Sequence, residues 1–115
     1  MNEVNINIFQ AVGSDVAVSS EKGNEIFVQI DKALQNNVIV NLDFSNIKIL
    51  TTAFLNAAIG QLYSKYKSET LKKSLRLFNI SDSDKLLLKK VTDRAKEYFA
   101  DKNVDIIIKE SFNDE

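Results

Sequence analysis

VIVNLDFSNIKILTTAFLNAAIGQLYSKY, residues 38–66, changes its hydrophobic period part-way along. Val38, Ile39, Val40 and Leu42 form an aliphatic, β-branched run too short for a helix, consistent with a strand covered on both faces. Asp43, Ser45 and Asn46 then supply turn chemistry, and Ile47, Ile49 and Leu50 resume the apolar pattern. Thr51 and Thr52 follow, where a helix needs a side-chain oxygen for its unpaired backbone N–H groups. Beyond Phe54 the apolar positions are Leu55, Ala58, Ile59, Leu62 and Tyr66, which lie on one helical face. The strand period gives way to the helix period at the two threonines.

The segment DFSNIKILTTAFLNAAIGQLY resembles the signature of the STAS-like family of small bacterial proteins, relatives of the sulfate-transporter and anti-sigma-factor-antagonist domains. In the regulated members a strand ending in aspartate leads to an Asp-Ser-Ser-Gly turn at a helix N-terminus, and a partner kinase phosphorylates the first serine. The resemblance puts that position on Thr52, the preceding aspartate on Thr51, the second serine on Ala53 and the glycine on Phe54. Only the hydroxyl is kept. STAS-like relatives also often carry an arginine near the start of the preceding helix and a glycine three residues on. Here these fall on Ser20 and Gly23. The resemblance implies an α/β domain with a mixed, mostly parallel sheet of four to five strands and three main helices, acting as a regulatory binding module.

Reading outward, Val4, Ile6 and Ile8 alternate with Asn5, Asn7 and Phe9 as in a strand with one buried face, which Gly13, Ser14 and Asp15 end. Val16 and Val18 suggest a short second strand. Ser19 or Ser20 caps the next helix, with Glu21 and Glu25 favouring its positive end. Its stripe is Ile26, Phe27, Ile30, Ala33 and Leu34, and Asn36-Asn37 stops it. Ser64 to Lys73 reads as a polar turn, and Leu75, Leu77, Phe78 and Ile80 as a strand. Ser81 and Asp84 match a capping box with aspartate for glutamate, which explains both nearby aspartates without a metal. A helix from Asp84 to about Ala100 and a final strand over Val104–Ile108 complete the order, with the acidic tail 111–115 expected to fray. Strands alternating with helices call for parallel pairing through right-handed crossovers, preceded by an early antiparallel part as in STAS domains.

The 115 residues fit one domain, and 44% hydrophobic with 27% charged content is ordinary for a globular chain. No apolar run suits a membrane span and no signal pattern opens the chain, so the expected setting is the cytoplasm, away from membranes. Zero cysteines remove disulfides, thiolate zinc sites and cysteine nucleophiles; zero histidines remove the commonest general base and transition-metal ligand. Nine lysines and two arginines stand against six acids between Gly60 and Asn103. No aromatic motif interleaves them, so solvated helix faces explain this bias better than nucleic acid does.

Gly13, Gly23 and Gly60 match neither a phosphate loop nor a dinucleotide fingerprint. Without histidine, Thr51 and Thr52 have no base that spacing nominates, so the expectation is no enzyme, no cofactor and no metal. Two readings of the threonines stand side by side: one of them caps the helix, and an exposed hydroxyl accepts phosphate at a helix end that favours negative charge. The first functional hypothesis is a module binding a protein partner, of the histidine-kinase-like ATPase type that the resemblance suggests, through Thr51, Thr52 and an exposed Phe54, with Asp43 and Ser45 alongside. The alternative is a small-ligand or nucleotide-binding domain that holds an anion at helix N-termini near Ser19, Ser20, Gly23, Thr51 and Ser81. Self-association through an edge strand or the last helix is a third possibility.

Overall fold

The computed structural model describes residues 2–113, and the side chains of residues 2–100. The elements in chain order are β1 (Glu3–Asn7), α1 (Ile8–Val12), β2 (Val16–Ala17), α2 (Ser20–Gln35), β3 (Ile39–Asp43), β4 (Ile49–Leu50), α3 (Thr52–Ala58), a 3-10 turn (Gly60–Ser64), α4 (Ser68–Ser74), β5 (Leu75–Phe78) and α5 (Asp82–Asn113). The expected α/β architecture with a mostly parallel sheet is present. β1, β3 and β5 form a three-stranded sheet with β3 in the centre, and β2 pairs with β4 in a separate two-stranded ribbon. All three strand pairings are parallel, so the expected early antiparallel part is absent among the described residues.

Register sorts the side chains of the larger sheet. Val4 lies opposite Val40 and Ile6 opposite Leu42, while Leu75 and Leu77 flank the same two β3 residues from the other side. Ile6, Val40 and Leu42 are buried and join Ile26, Ile30, Phe54, Leu55 and Leu62 in one core. The intervening positions, Asn5, Asn7, Asn41, Asp43, Arg76 and Phe78, alternate to the opposite face. None of those six is buried. The expectation that β3 is covered on both faces is therefore corrected: helices cover one face, and the other is polar.

Helices α2 and α3 pack so closely that a Cβ on Gly23 would lie 2.5 Å from the Phe54 carbonyl oxygen and 2.7 Å from Ala57 Cβ. Only a glycine permits that approach. The α5 residues Leu88, Val91 and Ala95 are buried and seat the first half of that helix.

Besides shifts of one or two residues, which leave Val18 and Ile80 just outside β2 and β5 and start α5 at Asp82, four boundaries differ from the sequence reading. The first strand stops at Asn7, whose Oδ1 accepts from Gln10 N (2.9 Å) and starts α1; Gly13 then ends it at φ 78°. The helix begun at Thr52 ends at Ala58, and the Gln61 side chain donates to the freed Ala57 carbonyl (2.6 Å) as the chain tightens into the 3-10 turn. The polar stretch 64–73 contains α4, held by the single buried anchor Leu71, which leaves no periodic stripe to read. Val104–Ile108 is no strand: α5 continues through it to Asn113. Residues 111–113 of the tail belong to α5, and Asp114 and Glu115 lie outside the described residues. No described helix is long and apolar enough to cross a membrane.

Candidate functional site

The β2–β4 ribbon brings two helix starts together. Thr51 N donates to the Ala17 carbonyl (3.2 Å), extending the ribbon to the edge of α3. Thr51 is extended at φ −119°, and its Oγ1 accepts from Phe54 N (3.3 Å), which makes it the N-cap. The same hydroxyl donates to the Val18 carbonyl at 2.7 Å. Ser19, next in the chain, caps α2 by accepting from Lys22 N (3.1 Å). One threonine thus closes its own helix and ties it to the start of the neighbouring one. Thr52 is the first residue of α3; it is exposed, and its hydroxyl makes no hydrogen bond to a described residue.

Phe54 does not supply the exposed aromatic anchor expected of it. It is 0% exposed: its side chain joins the core, and its backbone carbonyl faces Gly23. The apolar surface beside the threonines comes instead from Ile49, 53% exposed on β4, and Val18, 38% exposed just after β2. A signal for Ile49 was available: with Leu50 buried in the core, its strand neighbour must point the other way.

The remaining candidates separate. Ser20 is exposed beside this corner, whereas Gly23 is covered by α3 and offers no surface for a ligand. Ser81 caps α5 by accepting from Asp84 N (3.2 Å) and sits within hydrogen-bond distance of Ser83. Asp43 and Ser45 belong to a second polar network at the carboxyl ends of β1, β3 and β5. There Asp43 Oδ1 accepts from Ser45 N (2.9 Å), from the Ser45 hydroxyl and from Asn79 Nδ2 (3.0 Å), while Asn7 Nδ2 reaches Oδ2 at 3.4 Å. The amide of Asn79, foremost, then Ser45 and more weakly Asn7, hold the Asp43 carboxyl below the usual carboxylate range. Asn79 can reach back because it adopts φ 59°, a left-handed turn that asparagine tolerates. Asn7 and Asn79 were not singled out from sequence, since only the strand register brings them to Asp43.

Chemically, the corner can present a hydroxyl and a small apolar surface. The Thr51 hydroxyl meets a backbone carbonyl rather than a carboxylate or amine, and no described group of three or more acidic side chains is arranged to hold a metal ion. The family model for a STAS-like domain of unknown function matches residues 22–85, which span most of α2, both threonines and the start of α5. No curated protein and no solved structure matches the chain.

Proposed function

The chain belongs to the family of STAS-like domains of unknown function, and on that premise we propose that it is a non-enzymatic regulatory module that binds a protein partner through the corner formed by Val18, Ile49, Thr51 and Thr52. The partner is a histidine-kinase-like ATPase, and Thr52 is the residue it phosphorylates. One observation carries the reading: the two hydroxyls divide the work, Thr51 being spent on Phe54 N and the Val18 carbonyl while Thr52 is exposed and unengaged. A phosphate on Thr52 adds nearly two negative charges at a helix start.

The anion-holding alternative has less support, because the hydroxyls of Ser19 and Ser81 accept from backbone N–H groups and Gly23 is filled by α3. The test is to incubate the full chain with purified histidine-kinase-like ATPases and ATP, and to map phosphate by mass spectrometry. Phosphate on Thr52, lost in Thr52→Ala, together with altered binding of the same ATPase to Thr52→Glu, is the expected result. Phosphorylation elsewhere, or equal binding by Thr52→Glu and the parent chain, refutes the reading.

A further inference from the structure

The uncovered face of the β1–β3–β5 sheet gathers a second set of polar groups. All-parallel sheets are ordinarily covered on both faces, yet the polar face here holds a concavity of about 300 Å³ lined by Asn5, Asn41, Asp43, Phe78 and Asn79. Its hydrogen-bond inventory is lopsided. Asn41 Nδ2 is shared between Glu3 Oε1 (3.0 Å) and Asn5 Oδ1 (2.9 Å), and Asn79 Nδ2 between Asp43 Oδ1 and Ser45 Oγ (both 3.0 Å). Asn7 spends its Nδ2 on Asp43 and its Oδ1 on Gln10 N. Because Glu3 and Asp43 can only accept, these amide orientations are fixed by chemistry.

What is left over is acceptors. Asn41 Oδ1 has no partner, but it is sealed from solvent and is not offered to a ligand. Asn79 Oδ1 bonds to no described residue, and Asp43 Oδ2 has only the long contact from Asn7. Asp43 is the one charged residue lining the concavity and pairs with no described cation, whereas neighbouring Arg76 and Glu3 neutralise one another at 3.2 Å across β3. Beside these acceptors Phe78, 46% exposed, offers an aromatic surface.

Unspent acceptors, one uncompensated carboxylate and an aromatic wall are complementary to a planar cation rich in donors. We propose that this concavity binds the guanidinium of an arginine side chain presented by a protein partner, with Asp43 as the counter-charge and Phe78 as the stacking surface. A guanidinium carries five donors and no acceptor, and it stacks on aromatic rings as an ammonium does less well. A protein source is favoured over free arginine because no cation lines the concavity to receive the α-carboxylate of the free amino acid. This site is independent of Thr52, and its residues lie in a different hydrogen-bond network.

The test titrates the isotope-labelled full chain with N-acetyl-arginine amide, followed through the side-chain amides of Asn5, Asn41 and Asn79 by NMR. Saturable shifts at these amides are expected, with weaker binding of free arginine and of N-acetyl-lysine amide, and none of the capped citrulline analogue. Asp43→Asn is expected to weaken binding roughly tenfold, and Phe78→Ala about threefold. Should Asp43→Asn fail to fold, Phe78→Ala, which alters an exposed ring, still reports. Equal binding of capped arginine and citrulline, shifts confined to another surface, or no effect of either substitution overturns the proposal; tighter binding of free arginine overturns its protein source.

Discussion

Replacing Gly23 with alanine tests the packing that sets the corner. A generic glycine-to-alanine change inside a helix stabilises by up to about 1 kcal/mol through backbone entropy and propensity. At position 23 the new methyl would stand 2.5 Å from the Phe54 carbonyl oxygen, 2.7 Å from Ala57 Cβ and 3.2 Å from Ala58 N. Comfortable carbon contacts lie near 3.5–4.0 Å, so α2 and α3 must separate by roughly 1 Å. Two of the three obstructing atoms are backbone, which cannot rotate away. Such overpacking costs about 1–3 kcal/mol, and more where the backbone itself must move. Since the shift also loosens Ile26 and Ile30 from Phe54 and Leu55, the upper part of that range applies, and the net loss after the propensity gain is about 2 kcal/mol. Urea unfolding followed by far-ultraviolet circular dichroism should show a lower midpoint with an unchanged slope, and the melting temperature should fall by roughly 8 °C. A variant as stable as the parent, or more so, would mean that the helices are not in backbone contact there.

Thr51→Ala removes both the cap and the tie to Val18 and is expected to cost about 1–2 kcal/mol, with Thr51→Ser restoring most of it, whereas Thr52→Ala stays within about 0.5 kcal/mol in the same unfolding assay. Phe54→Ala, in the core, is expected to cost about 3–5 kcal/mol, so any loss of partner binding should track loss of fold by circular dichroism. A pH series probes the pin between α2 and the segment before α4, where Lys65 Nζ and the Tyr66 hydroxyl each donate to Asp31 at 2.6 Å. Lys65 and then Tyr66 lower the Asp31 pKa, so its contribution is present above the unfolded value of 3.8 and is lost as pH falls through the lower folded value. Burial, then the bond to Asp31, pushes Tyr66 up to about 12, so its contribution is complete below pH 10 and disappears as pH rises from 10 to about 12. Melting temperatures across both windows should lose this dependence in Asp31→Asn and Tyr66→Phe respectively.

The elements that the sequence announced clearly are those with a cap beside a periodic stripe. Ser19 with Ile26, Ile30 and Leu34 marked α2, and the Thr51–Thr52 pair marked the entry to α3. Where the apolar residues had no period, the reading failed for a physical reason. Val104, Ile106, Ile107 and Ile108 suit a buried strand or a helix turn equally, and no proline or glycine separates them from α5. Leu71 alone could not announce α4. The candidate site was legible as a corner, because a strand-to-helix switch and a hydroxyl are local features. The burial of Phe54 was not legible, since it depends on how α3 is seated on the core, and the close approach of α3 to α2 is set by a glycine thirty-one residues earlier in the chain. The polar sheet face lies between these cases: Asn5 and Asn7, Asn41 and Asp43 alternate visibly with aliphatic residues, but only register shows that they meet.

The rigidity of the corner constrains how a modification there could be read. Thr51 is held at both lone pair and proton, the Phe54 backbone rests against Gly23, and the Phe54 side chain is enclosed by the core. Thr52 therefore projects from a backbone held on either side by Thr51 and Phe54. A phosphate added to it leaves these buried contacts in place and alters mainly charge, from neutral to nearly two negative, next to the exposed Ile49 and Val18. A partner that packs on those aliphatic side chains would have to desolvate the phosphate or pair it with a cation of its own. On this geometry the discriminating element belongs to the partner: an apolar or acidic surface would release the modified chain, and an arginine or lysine would retain it.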